Sequence, residues 1–210
     1  MAKLTLSELQ TELARRLKQI IASNDTTTLN NALYRAVRTI DGLGSFTFLQ
    51  NIIKGTIEIG VDYISVPSEL NYNKDISLYI GDFPPLKYVP YTELSKYGKV
   101  WNKIPEAFAY YYDATQPRLY LSAVADEDLP YKLYFSEFLI YPSATAYCQI
   151  PEEWYDIIID VAEAQQKALY TMVDAENSAK YMVDRLKLFV AEFGIGDINV
   201  NLNDILNKGG

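Results

Sequence analysis

The stretch IPEAFAYYYDATQPRLYLSAVADEDLPYKLYFSEFLIY, residues Ile104–Tyr141, decides how the rest of the chain is read. Aromatic and β-branched runs alternate with Pro, Asp and Gln punctuation, the pattern of consecutive short strands. Phe108–Tyr112 leads into a turn at Asp113–Pro117, Arg118–Leu121 returns, and Tyr131–Tyr141 follows a second turn at Ala125–Pro130. A strongly helical segment, Ile150–Phe193, comes directly after.

Upstream of this stretch the periodicity is still that of strands. Thr47–Lys54, Thr56–Gly60 and Asp62–Val66 read as strands, and Ile57, Ile59, Ile64 and Val66 alternate on either side of a turn at Gly60-Val61-Asp62. Ile76–Ile80 and Leu86–Val89 flank Gly81–Pro85 as a second hairpin, and Tyr91–Tyr97 reads as a helical turn capped by Thr92. Before Phe46 the period is helical. Thr5-Leu6-Ser7-Glu8 is a capping box, followed by a stripe of Leu6, Leu9, Leu13, Leu17 and Ile20. Arg15, Arg16 and Lys18 fall on the other side, as a solvated face or as a contact for a partner's acidic surface. A second helix capped by Thr28 carries Leu29, Leu33, Ala36, Val37 and Ile40 and stops at Asp41-Gly42-Leu43-Gly44, where glycine suits a left-handed end.

Beyond the strands, Pro151 opens a third helix with stripe Trp154, Ile157, Ile158, Val161, Ala164, Ala168 and Met172. Asp174 caps a fourth, with Ala179, Met182, Leu186, Phe189, Val190 and Phe193, ended by Gly194. The expected class is α+β: a helical bundle of N- and C-terminal helices with an inserted antiparallel β-rich domain. The expected parts are 1–45 (helical hairpin), 46–149 (β-rich insertion), 150–194 (C-terminal helices packing on the hairpin) and 195–210 (an extended arm). In the arm, Ile198, Val200, Leu202 and Ile205 are candidates for contact with a neighbouring subunit by strand addition, a frayed terminus being the alternative.

Composition narrows the chemistry. The net charge is −8, which disfavours a protein that grips phosphate backbones. A single cysteine, Cys148, cannot form an internal disulfide and suits a reducing cytoplasm. Met1–Ser7 lacks the features of a signal peptide, and no apolar run reaches the length of a bilayer span, so a soluble protein without membrane partners is expected. Histidine is absent, which removes the commonest general base and transition-metal ligand. No phosphate-binding glycine motif is present, and no cofactor or metal site is expected. Asp126/Glu127/Asp128 and Glu152/Glu153 are the only carboxylate groupings of note, and they read as a solvated turn and a helix start, not as a catalytic pair. The 18 tyrosines suit half-buried faces and interfaces, and Tyr110 and Tyr112 are the contact candidates among them.

Taken in order, these elements resemble the head-to-tail adaptor proteins of short-tailed bacteriophages, the connector ring of the tail tubular protein A type. The matching positions are Pro105, Tyr111, Leu119, Leu121, Asp126, Tyr131, Leu133, Phe135, Trp154 and Tyr155. Ala125 stands where a Pro usually precedes the Asp, and Phe135 where Tyr is common. The resemblance implies a non-enzymatic virion protein, made in the host cytoplasm and placed at the head–tail junction. It implies a homo-oligomeric ring, usually a dodecamer, that binds the portal protein and a tail nozzle protein, sometimes tail fibres. DNA would pass through the channel without specific binding, and an electronegative lumen suits that passage. Two other classes are consistent with the residues: a small monomeric carbohydrate- or peptide-binding β module with a Tyr-lined groove, and a hydrolase working through two carboxylates.

Overall fold

The computed structural model describes residues 4–17, 25–97, 100–101, 104–112, 115–170, 174–196, 198 and 200. The protein is mixed α and β with mainly antiparallel sheets, and it divides into two compact units: Met1–Leu49 with Leu139–Gly210, and Gln50–Phe138.

The first unit holds the four described α-helices. Helix α1 (Leu6–Arg16) starts at the expected capping box: the Thr5 amide donates to Glu8 Oε2 at 2.7 Å, and the Glu8 amide donates to Thr5 Oγ1 at 3.3 Å. Leu9, Leu13 and Leu17 of the stripe are buried on its inner side and Leu6 is half-buried, while Lys18 and Ile20 lie outside the described residues. Helix α2 (Thr26–Asp41) begins earlier than expected. Asp25, not Thr28, is its cap, and the Asp25 carboxylate accepts from the Thr28 amide at 3.0 Å. The stripe Leu29, Leu33, Ala36, Val37 and Ile40 is buried as read. Gly42 ends the helix with φ −74°, in the right-handed region, so its left-handed freedom is not used.

Pro151 precedes a short 3-10 turn (Glu152–Trp154), and helix α3 (Ile157–Leu169) starts only after it. Helix α3 is buried nearly all round: Ile159, Ala162, Gln165 and Gln166 join Ile157, Ile158, Val161 and Ala164 in the interior. It packs against α1, α2 and α4 (Ala175–Phe193), and a helix enclosed on several sides loses its solvent face. Ala179, Met182, Leu186 and Phe189 of α4 are buried, Val190 and Phe193 of the same stripe are half-buried, and Met172 of the expected α3 stripe lies outside the described residues. A two-residue strand β1 (Ser45–Phe46) pairs antiparallel with β11 (Gly194–Ile195) just beyond α4. Phe46, Phe48, Phe189 and Phe193 meet there, with ring centroids 5.2–5.9 Å apart.

Ion pairs cross this unit where a solvated face was the first expectation. Arg16 reaches across from α1 and donates to Asp160 Oδ1 at 2.7 Å and to Glu163 Oε2 at 3.1 Å, while also pairing with Glu12. The acidic surface that Arg16 meets is therefore this chain's own α3. Arg185 approaches from α4, donating to Asp156 Oδ1 at 2.8 Å and lying 3.6 Å from Asp160 Oδ2. Burial pushes Asp160 above the usual carboxylate range, and the hydrogen bond from Arg16 with the charges of Arg185 and Arg16 pulls it back. Glu12 is held at about 2, first by its hydrogen bond from Arg15. Asp174 does not cap α4 with its side chain; it accepts from Lys167 instead, and Lys167 also pairs with Glu163 at 2.8 Å.

The second unit is built from strands β2 (Gln50–Ile57), β3 (Tyr63–Ser65), β4 (Ser77–Ile80), β5 (Lys87–Tyr88), β6 (Val100–Trp101), β7 (Ile104–Pro105), β8 (Ala107–Tyr112), β9 (Pro117–Leu121) and β10 (Leu129–Ser136). One sheet runs β2-β10-β4, antiparallel throughout. Another runs β3-β9-β8-β5, antiparallel except for the β5–β8 pair, and β6 pairs with β7. A 3-10 segment (Tyr91–Tyr97) stands where a helical turn was expected.

Strand existence follows the sequence reading, but partners do not. β8 and β9 form the expected antiparallel pair, with Tyr110 opposite Leu119. β10 does not continue that meander: it crosses to the other sheet and lies between β2 and β4. The expected hairpin of Ile57/Ile59 with Ile64/Val66 does not form, because β2 pairs with β10 and β3 with β9. The segments around Gly81–Pro85 likewise part, β4 to β10 and β5 to β8, joined only by one bond from the Leu86 amide to the Leu78 carbonyl. Nor does Gly55 break the first strand. It sits opposite Tyr131, and a Cβ there would come within 2.8 Å of the Tyr131 ring, so glycine admits the ring and the strand runs through. Both sheets contribute to one core: Leu78 and Leu133 from one, Phe108 and Leu119 from the other, all fully buried.

Candidate interaction surface

Alternation along β8 divides its three tyrosines. Tyr110 and Tyr112 share the side of Phe108, and Tyr111 shares that of Ala107 and Ala109. Tyr110 is half-buried and stacks on Tyr72, with centroids 4.8 Å apart and planes at 17°. Burial, with neighbouring Tyr72, Tyr112 and Tyr88, raises its phenol above the ordinary value. Tyr112, at the strand's end, is 64 % exposed.

The opposite side of the same sheet is an aromatic row. Tyr91, delivered by the 3-10 segment, stacks on Tyr111 at 4.3 Å, and both meet Tyr120 edge-on at 5.4 and 6.1 Å. Tyr120 lies opposite Tyr63, and the Arg118 guanidinium sits 4.1 Å above the Tyr63 ring while donating to Tyr120 Oη at 3.3 Å. Tyr91 and Tyr111 each cover one face of the other, and Tyr120 meets both edge-on. Rings already packed on one another in this way form a prebuilt aromatic wall.

A second exposed face belongs to the β2-β10-β4 sheet. Its outward positions are Ile52 and Lys54 of β2, Lys132 and Tyr134 of β10, and Tyr79 of β4. Tyr79 and Tyr134 meet edge-on at 5.5 Å, and the floor between them forms an open depression with Lys132, Asp82 and Phe83 along its sides.

The other residues singled out by sequence lie elsewhere. Ile198 is half-buried against the helical core, its Cδ1 filling the space where a Cβ on Gly44 or Gly194 would stand, at 2.6 and 2.9 Å. Val200 is buried in the same unit. Leu202 and Ile205 lie outside the described residues. Asp126, Glu127 and Asp128 are exposed in the turn before β10, where Asp128 accepts from the Ile59 amide at 3.0 Å, a turn-closing role. Glu152 and Glu153 are exposed in the 3-10 turn before α3. Among the described residues no three His, Cys, Asp or Glu side chains converge as a metal site, and no helix is long and apolar enough to cross a membrane. Sequence reasoning missed Lys54, Tyr79 and Lys132 as one surface, because strand order alone brings them together. Set against known proteins, the chain matches no family model and no curated relative.

Proposed function

We propose that this chain is a structural subunit of a virion, a head-to-tail adaptor that assembles as a homo-oligomeric ring beneath a portal and lets DNA pass. On this reading it is a helical bundle of N- and C-terminal helices carrying an inserted β-rich domain, and it performs no catalysis. The division of the chain into Met1–Leu49 with Leu139–Gly210, and Gln50–Phe138, supports that architecture. The observation that carries the functional reading is the tyrosine wall of Tyr91, Tyr111, Tyr120 and Tyr63. Prebuilt aromatic surfaces with wet edges are what protein interfaces favour, since little side-chain entropy remains to be lost on contact. The net charge of −8 supports a channel past which DNA slides without sticking.

Size-exclusion chromatography with light scattering, on the chain alone and mixed with a portal protein, tests the reading. A ring or co-elution with the portal is expected. A monomer that ignores the portal would overturn it in favour of a monomeric carbohydrate- or peptide-binding module.

A further inference from the structure

The outward face of the β2-β10-β4 sheet contains an arrangement that a lone chain has no reason to keep. Lys54 and Lys132 are directly opposite each other in the β2–β10 ladder, and both are exposed. Neither ammonium meets a carboxylate among the described residues. Like charges at directly opposed positions oppose strand pairing. They are set among apolar side chains, Ile52 at 49 % exposure and Tyr134 at 41 %, with Tyr79 beside them. An acidic chain thus sets two lysines side by side on an apolar face, Lys132 at a hollow that Asp82 also borders and Lys54 on the neighbouring strand, with neither in an ion pair among the described residues.

The same β unit carries the complement. The loops after β2 and after β9 are tied at their tips, the Gly60 amide donating to the Ala125 carbonyl at 2.8 Å and the Ala125 amide to the Val61 carbonyl at 3.0 Å. The knob so formed exposes Glu58 and Asp126, together with Ile59 at 65 % and Val124 at 54 % exposure. The outward face is therefore apolar with two lysines against the single Asp82 at the rim of the hollow, and the knob is acidic and apolar. The knob is at the end of the β2–β10 ladder and the hollow is on its face, so one copy cannot close the pair on itself. A contact between two different patches is heterologous, the kind that propagates head to tail and makes a ring when its rotation closes.

We propose that the knob of one copy, Glu58, Ile59, Val124 and Asp126, docks on the Lys54/Lys132 face of the next copy, over the hollow that Lys132 borders. This rests on the ring reading and names the surfaces that make the ring. Its occupant is a second copy of this chain. Charge complementarity selects that partner and sets the register, and the apolar side chains are covered in the contact.

Sedimentation velocity on the full chain tests it with two charge-reversed variants, Lys54→Glu/Lys132→Glu and Glu58→Lys/Asp126→Lys. Each alone opposes face and knob of like sign, so each should associate at least about tenfold more weakly than wild type in about 0.15 M salt. Mixed in equal amounts, the acidic face of the first meets the basic knob of the second and the reverse also holds, so association should return. That rescue excludes misfolding as the cause of the single losses. Wild-type assembly with unchanged variants overturns the inference alone, as does loss in both variants without rescue on mixing. A wild-type chain that stays monomeric with and without portal overturns the ring reading and the inference together.

Discussion

Replacing Arg16 by methionine removes the guanidinium that α1 sends to α3 and leaves the apolar stem. Asp160, with its side chain only 3 % exposed, then loses its closest cation. Breaking a buried ion pair from one side costs about 3–5 kcal/mol, because a charge is left behind without compensation. Arg185, 3.6 Å from Asp160 Oδ2, still offsets part of that charge, so Arg16→Met belongs at the low end, about 3 kcal/mol. Asp160→Asn removes the buried charge itself and keeps the shape. Arg16 retains Glu12 and Glu163, and the expected loss is about 1 kcal/mol, that of one hydrogen bond. The double variant should lose about 2 kcal/mol instead of the additive 4, a coupling of about 2 kcal/mol between the sites. Urea unfolding followed by far-UV circular dichroism at about 222 nm reads this out, because all four described α-helices belong to the unit in question. The pH dependence has a definite sign. An acid whose folded pKa lies above its unfolded value makes the fold lose stability as pH rises through that interval. Arg16→Met raises the folded value of Asp160 further, so the variant should recover part of its deficit on going from about pH 7 to about pH 5. Equal small losses in both single variants, with a coupling below about 0.5 kcal/mol, would refute the view that Asp160 is a buried charge held by Arg16.

Three further perturbations probe other contacts. Gly55→Val gains strand propensity but drives its Cβ into Tyr131, so a net loss of about 1–3 kcal/mol is expected in urea unfolding, relieved when Tyr131→Leu is combined with it. Gly44→Ala should cost about 1 kcal/mol because its methyl group meets Ile198, and that cost should vanish in an Ile198→Ala background; a persistent cost would show that Ile198 is not seated over Gly44. Lys132→Thr should raise the stability of the isolated chain by a few tenths of a kcal/mol, up to about 1, by removing the charge opposite Lys54, and a drop in urea midpoint would contradict the register given for β10.

What the amino-acid sequence determined by itself was local. The Thr5/Glu8 capping box, the buried stripe of α2, the buried parts of the α1 and α4 stripes (Leu9, Leu13 and Leu17; Ala179, Met182, Leu186 and Phe189), and the presence of strands at β8, β9 and β10 were all legible, because a helix or strand repeats over a few residues and turn chemistry is written in neighbours. The lack of histidine was equally legible and restricted the chemistry available to the chain. Strand partners were not. A two-residue period shows which side chains share a face, but it carries no information about which strand lies alongside. So β10 could be read as the continuation of β8 and β9, while the folded chain inserts it between β2 and β4. That choice alone sets Lys54 opposite Lys132 and gathers Tyr79 and Tyr134 beside them. The same holds for Arg16, which looked like part of a solvated face until α3 brought Asp160, 144 residues away, against it. Tertiary structure decided these features because surfaces and buried charges depend on which distant segments meet, and those meetings are set by burying the whole apolar surface at once.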